Sequence, residues 1–263
     1  MNKRLIFILF TVVLLVAFSA CARKETQPPQ QDQTPQEGAI KDGVYFQEGE
    51  ADERGWKPMI TIIVNNGKIV KAHYDEINQE NNLKGFDQEY LDDWKDKSGT
   101  NLLTAEKKLV DSLIEKQDPE QVDSVTGATS TTGKFKDLAA KALKNNPQDK
   151  KSSGYYNGLF KAELDFDERG WKPYAAVIVR NEKIAGAYYD EVNKDTEKLK
   201  SYDDDYNQQW QEKSVENLRS ARPKLIDSLL EKQKPGEVDA VTGATSTTSK
   251  FKELMQKALT PFS

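Results

Sequence analysis

Between residues 43 and 78 the apolar positions fall in short β-branched and aromatic runs, not at helical spacing. GVYF opens the segment, MITIIV follows, and KIVKAHY closes it after the tripeptide NNG. The pattern predicts three strands, the last two joined by a type I′ hairpin turn at NNG. Pro58 stands at a strand start, where a missing N–H is harmless. The period then changes. In LLTAEKKLVDSLIEKQ, Leu102, Leu109, Val110, Leu113 and Ile114 recur at helical spacing and form one apolar stripe. A second helical pattern, KFKDLAAKAL, carries Phe135, Leu138, Ala139 and Leu143. An antiparallel sheet followed by packed helices is an α+β domain.

The whole pattern then occurs again. Residues 43–78 match residues 158–193 without a gap, the second copy gains one residue before Tyr206, and the register then holds to the end. A repeat this long is a domain and not a solenoid module. The expected division is 41–146 and 155–263, two homologous α+β domains, with 147–154 as linker. A flexible linker of about ten residues would let the domains sample separations near about 17 Å. The second copy has RNE in place of NNG, so its turn is expected to be tighter on sterics or longer.

Composition narrows the setting. The chain has 263 residues, a formal net charge of −5 and 37% hydrophobic residues. That balance argues against nucleic acid as a partner. A single cysteine, Cys21, excludes an internal disulfide and a cysteine metal cluster, and a single histidine, His73, aligns with Tyr188 and so has no duty common to both copies. MNKR followed by the apolar run at residues 5–20 is shorter than a spanning helix of about 20 residues and reads as an export signal. Ser19-Ala20-Cys21 resembles the lipobox of bacterial lipoproteins, in which the cysteine is lipidated and becomes the N-terminus; Phe18 departs from the usual leucine. A cleaved soluble signal or an uncleaved anchor are the alternatives. Residues 21–40, rich in Gln and Pro, are read as a disordered tether to a membrane surface.

The segment kept most closely is DSVTGATSTTGKF at 123–135, repeated as DAVTGATSTTSKF at 239–251. It offers small residues and hydroxyls ahead of a helix. As a mere cap, Ser130 or Thr131 would accept one backbone N–H at the helix start. One capping residue would suffice for that. Small residues at a helix N-terminus also suit close approach of a phosphate, where N–H groups and the positive end of the dipole face outward. No GK[ST] follows, so the Walker pattern for nucleoside triphosphates is absent.

VTGATS with an aspartate two residues upstream resembles the flavinylation motif of the FMN-binding domain family, which includes extracytoplasmic subunits of ion-pumping NADH:quinone and ferredoxin oxidoreductases. The resemblance extends to the strands GVYF and ITIIVNNGKIV and covers both copies. It implies that an ApbE-type flavin transferase joins FMN through its phosphate to Thr129 and Thr245, two covalent groups in all. Asp123 and Asp239 match the acidic position of the motif; Thr126, Gly127, Ala128 and Ser130, with Thr242, Gly243, Ala244 and Ser246, match its body. The plan of lipobox, tether and tandem domains is similar to the flavin lipoproteins of Gram-positive extracellular electron transfer. That similarity implies a carrier on the extracytoplasmic face of the cell membrane. It would take electrons from a quinone-linked NADH dehydrogenase system and pass them to extracellular acceptors such as ferric iron or free flavins.

The remaining shared residues have two readings each. Trp56 and Trp171, in DERGWKP, could lie against the flavin ring or anchor the core; Trp94 and Trp210 are similarly open. Arg54 and Arg169 could meet a phosphate or a carboxylate, and YDE at 74–76 and 189–191 borders the site. No catalytic constellation is visible, which favours a carrier over a surface flavin-dependent reductase with its own substrate; a non-redox lipoprotein is the third reading.

Overall fold

Alternation within the strands decides how the two copies meet. A computed structural model describes residues 40–150 and 154–262; the export signal, Cys21 and the tether lie outside the described residues. The first copy contains β1 (Gly43–Glu48), β2 (Lys57–Asn65) and β3 (Lys68–Ile77), then α1 (Gln88–Ser98), α2 (Leu102–Lys116) and α3 (Thr129–Lys144). The second contains β4 (Gly158–Glu163), β5 (Trp171–Arg180) and β6 (Lys183–Asn193), then α4 (Asp204–Gln211), α5 (Leu218–Lys232) and α6 (Thr245–Leu259). Each sheet is three-stranded and antiparallel, in the order β1-β2-β3 and β4-β5-β6. The α+β expectation holds.

β2 is buried on both faces, because each face has its own cover. Ile60, Ile62 and Val64 pack with Leu109, Leu113, Phe135 and Leu138 of α2 and α3. Met59 packs instead with Leu159, Ala176 and Ile178 of the other copy, and Ile63 joins the second copy's core. β5 divides the same way, Ala175, Val177 and Val179 facing α5 and α6. The layers therefore run helices, sheet, sheet, helices, and the described residues form one compact unit.

This packing replaces the expected picture of domains sampling a range of separations. Buried bonds cross the seam. Leu159 N–H donates to Thr61 Oγ1 at 2.9 Å, Leu199 N–H to Gln88 Oε1 at 2.6 Å, and Tyr174 O–H to Gly85 O at 2.8 Å. The Phe86 ring stacks on Tyr174 at 4.5 Å. The link is also held at its start, where Gln148 N–H donates to Val44 O at 2.9 Å and Asn157 N–H to Gln148 Oε1 at 3.0 Å.

Ionic contacts cross the seam as well, at Arg180–Glu48 and Lys95–Glu197 nearer the surface and at Lys161 in the interior. Lys161 of β4 reaches into the first copy, where its Nζ donates to Asp75 Oδ2 at 3.1 Å, to Tyr74 O at 3.2 Å and to Glu106 Oε2. Asp75 and Glu106 are buried. Burial alone would lower the Lys161 ammonium, but the two carboxylates carry it above its ordinary value. The second copy solves the same problem internally. Arg222 stands where the first copy has Glu106, and it donates to Asp190 Oδ2 at 2.8 Å.

The hairpin at Asn66-Gly67 has φ of 53° and 71°, the type I′ geometry expected of NNG. The RNE hairpin is neither tighter nor longer: Asn181 and Glu182 take φ of 51° and 62° at the same two positions. Holding Glu182 left-handed costs about 1 kcal/mol. Asn157 Oδ1 accepts its N–H at 2.9 Å and Tyr155 N–H donates to its carbonyl at 3.2 Å, which offsets that strain.

Candidate functional site

The two hydroxyl-rich loops fold alike because their apolar and small residues leave them one course. Val125 and Val241 are buried anchors, and Ala128 and Ala244 turn back so that their N–H groups donate to the valine carbonyls at 3.0 Å. Gly127 and Gly243 take φ of 77° and 84°. A Cβ on Gly127 would stand 2.6 Å from Ser98 O, and one on Gly243 2.3 Å from Ser214 Oγ. Only glycine satisfies both the backbone angle and the close approach.

The hydroxyls divide by duty. Thr132 Oγ1 accepts the Val125 N–H at 3.3 Å and donates to Ala128 O at 3.0 Å; Thr248 repeats this with Val241 and Ala244 at 3.2 and 3.0 Å. These two brace the loops, and Thr131 and Thr247 are buried beside them. The helix caps are Ala128 and Ala244, with no side-chain bond, so neither Ser130 nor Thr131 caps. Thr129 and Thr245 are the first helical residues, exposed, and no hydrogen bond to either side chain occurs among the described residues. Ser130, Ser246, Thr126 and Thr242 are exposed as well. With no capping side chain, the first-turn N–H groups face outward. Asp123 and Asp239 point elsewhere: they bond Ser112 and Ser228 of α2 and α5, fastening the loop's entry.

Beside Thr245 lies a cavity of about 460 Å³. Gly243, Ala244, Thr245, Ser246 and Thr247 form one wall, Tyr206 and Trp210 another, and Arg169, Lys200, Lys213, Lys250 and Glu191 supply its charge. Trp210 Nε1–H donates to Gly243 O at 3.4 Å, and in the first copy Trp94 donates to Gly127 O at 2.9 Å. Trp171 is buried behind Tyr206, edge-on at 5.5 Å, and Trp56 behind Tyr90 at 5.3 Å. The cavity-lining rings are therefore Tyr206 and Trp210.

Under the rings sits a buried ion network. Glu76 accepts from Lys84 at 2.7 Å, Lys134 at 2.9 Å and Tyr74 O–H at 3.0 Å. Glu191 accepts from Lys200, from Lys250 at 3.2 Å and from Tyr189 O–H at 2.8 Å. Burial pushes the Glu191 carboxyl up, but Lys200 and Lys250 outweigh it and hold the group below its ordinary range. Lys84 also lies 4.8 Å from the Trp56 ring centroid and Lys200 4.9 Å from that of Trp171. These lysines, with Tyr90 and Tyr206, carry no motif that marks them as site residues in the sequence. Their recurrence at matched positions of both copies was the available signal. Arg169 stacks over Tyr206 at 5.9 Å and also meets Asp167 at 3.4 Å.

The family model described as the FMN-binding domain matches residues 55–144 and 170–260, more than half of the chain. The chain belongs to the FMN-binding domain family. It is similar to a 15 kDa lipoprotein of Treponema pallidum (strain Nichols), 36% identical over 94 residues, which is 36% of this chain and 67% of that protein. Of solved structures, it is similar to a Clostridium perfringens protein at 42% identity, covering 40% of this chain and 88% of that one with a TM-score of 0.39. A Clostridium thermocellum protein shares 31% identity over 43% of this chain and 98% of its own, with a TM-score of 0.31.

As an FMN-binding chain it offers residues that fit the cofactor's parts. Open N–H groups at Thr245 and the cations Lys213, Lys250 and Arg169 suit a phosphate. The Tyr206 and Trp210 rings suit an aromatic ring system.

Proposed function

We propose that this chain is a membrane-anchored electron-transfer flavoprotein of the extracytoplasmic face, with FMN joined through its phosphate to Thr129 and Thr245. The observation that carries the reading is the exposed, unbonded threonine hydroxyl at the mouth of α3 and of α6, beside a cation-lined cavity in the second copy. Attack of threonine Oγ on the phosphorus of an FMN-containing pyrophosphate breaks the P–O–P bond and releases a nucleoside monophosphate, while the hydroxyl proton passes to an ApbE-type transferase. Both hydroxyls stand clear of the fold, as such an enzyme requires. Flavin supplies the redox chemistry; the chain supplies placement and electrostatics.

A covalent bond suits an exported carrier. A cofactor held at about 1 μM, roughly −8 kcal/mol, would wash away in an unbounded volume. Anchoring rests on Cys21 behind its apolar run, and the similar Treponema protein is a lipoprotein. Donors would be a membrane quinone-linked dehydrogenase system and acceptors extracellular oxidants. Intact mass of protein made with the transferase tests the reading: two additions of about 438 Da each are expected, mapping to Thr129 and Thr245. A mass equal to polypeptide plus lipid would overturn it.

A further inference from the structure

The copies share their loops but not their charge. In the first, Lys134 is neutralised twice, by Asp52 at 2.8 Å and Glu76 at 2.9 Å. In the second, the matching Lys250 reaches Glu191 at 3.2 Å, but Asp167 stands back at 3.9 Å and turns to Arg169. A second difference lies on the opposite wall. Gln209 and Lys213 line the Thr245 cavity, and Lys213 has no ion-pair partner among the described residues. Their counterparts in the first copy are Asp93 and Lys97, paired at 2.6 Å. The first difference only redistributes charges that both copies possess, but the second, Gln209 in place of Asp93, leaves one more uncompensated positive charge beside Thr245 than beside Thr129.

Taking the proposed flavin at each threonine as given, we infer that the two sites hold electrons unequally and that the Thr245 site is the stronger acceptor. Two-electron, one-proton reduction adds one negative charge, and a nearby cation favours the charged form. In the exchange, the reduced group on Thr129 gives two electrons to the oxidised group on Thr245. One proton is released to solvent at the first site and one taken up at the second. One unit charge at about 10 Å, at an effective dielectric of about 50, shifts the balance by about threefold.

The test uses flavin-loaded full-length protein with one threonine removed: Thr129→Ala keeps the second site, Thr245→Ala the first. Intact mass first confirms one addition on each, and a protein with none on either overturns the flavin reading before any titration. Each is then equilibrated with the same redox dye in low salt, and flavin absorbance gives its reduced-to-oxidised ratio. The Thr129→Ala protein is expected to show a ratio about threefold higher, with the gap closing at about 0.5 M salt, where screening lengths fall to a few ångströms. Asp93→Gln added to Thr245→Ala should raise that protein's ratio, and Gln209→Asp added to Thr129→Ala should lower the other's. Equal ratios, the reverse order, or two exchanges without effect would overturn the inference and leave the flavin assignment standing.

Discussion

Replacing Lys161 with methionine removes the buried cation that the second copy lends to Asp75 and Glu106 of the first. Methionine keeps most of the length and apolar bulk of the lysine stem, so the change is chiefly one of charge. Asp75 and Glu106 are then left buried without their shared ammonium, and each is tied to backbone or solvent-poor neighbours. Breaking a buried pair from one side costs about 3–5 kcal/mol. For a compact unit of this size that lowers Tm by roughly 6–20 °C. The cost should vary with pH. Burial already holds the Glu106 carboxyl above its ordinary value, with Asp75 adding to it, and without Lys161 it rises further. A carboxyl raised in the folded state contributes stability below its unfolded pKa, lost as pH rises through the folded one. The deficit is therefore smallest near pH 4 and full at neutral pH. Thermal melts followed by circular dichroism at about pH 4.5 and 7.5 measure this. Lys161→Met/Glu106→Gln should recover at least half of the neutral-pH loss. A single variant within 1 kcal/mol of the parent at neutral pH, or a double variant no better than the single, would refute the reasoning.

Other outcomes follow from the same geometry. Gly127→Ala forces a Cβ against Ser98 O and a left-handed alanine, so about 2 kcal/mol of stability should be lost, read as Tm, together with flavin addition at Thr129, read by mass. Thr248→Val removes the bond that braces the second loop and should cost about 1–2 kcal/mol in denaturant unfolding, while the proposed flavin addition at Thr129, read by mass, should be unchanged. Asp52 is pulled down to about 2 by Lys134 and by the Trp56 and Arg54 N–H groups, against its burial. Its depressed value contributes stability above pH 4 that is lost as pH falls toward 2, and Lys134→Met should flatten that acid slope. His73 is pushed down to about 3 by burial, with Lys161 and Lys71 adding to it. Its imidazole should therefore stay neutral from pH 8 to 5 in an NMR titration, and the stability its depressed value supplies is lost only as pH falls from about 6.5 toward 3.

The strands and helices were legible because each obeys a local period, and the Gly127 and Ala128 pair because close backbone approach demands small residues. The docking of the copies was not. MITIIV reads as one apolar run, and nothing within it says that Met59 and Ile63 face a second sheet while Ile60 and Ile62 face helices. The turn at Glu182 was misjudged for a related reason, since local sterics disfavour it and Asn157 and Tyr155, distant in sequence, hold it. At the candidate site, the repeated motif pointed to Thr129 and Thr245, which stand exposed at the starts of α3 and α6. The lysines and Tyr206 escaped because charged and phenolic residues on polar stretches resemble solvated surface until folding brings them under one roof. A shorter α4 belongs here too. Val215 replaces Gly99, which closes α1 with φ of 74°, and a β-branched residue resists that angle, so α4 stops at Gln211.

Face-to-face docking of the sheets also settles what kind of kinetics exchange between the copies can have. Thr129 and Thr245 are carried on helices whose sheets pack face to face, so their spacing is a constant of the packing and not an average over chain conformations. With the proposed flavins in place, passage of charge from one to the other would be a first-order step with a single rate constant, indifferent to solvent viscosity and to the length of the connecting segment.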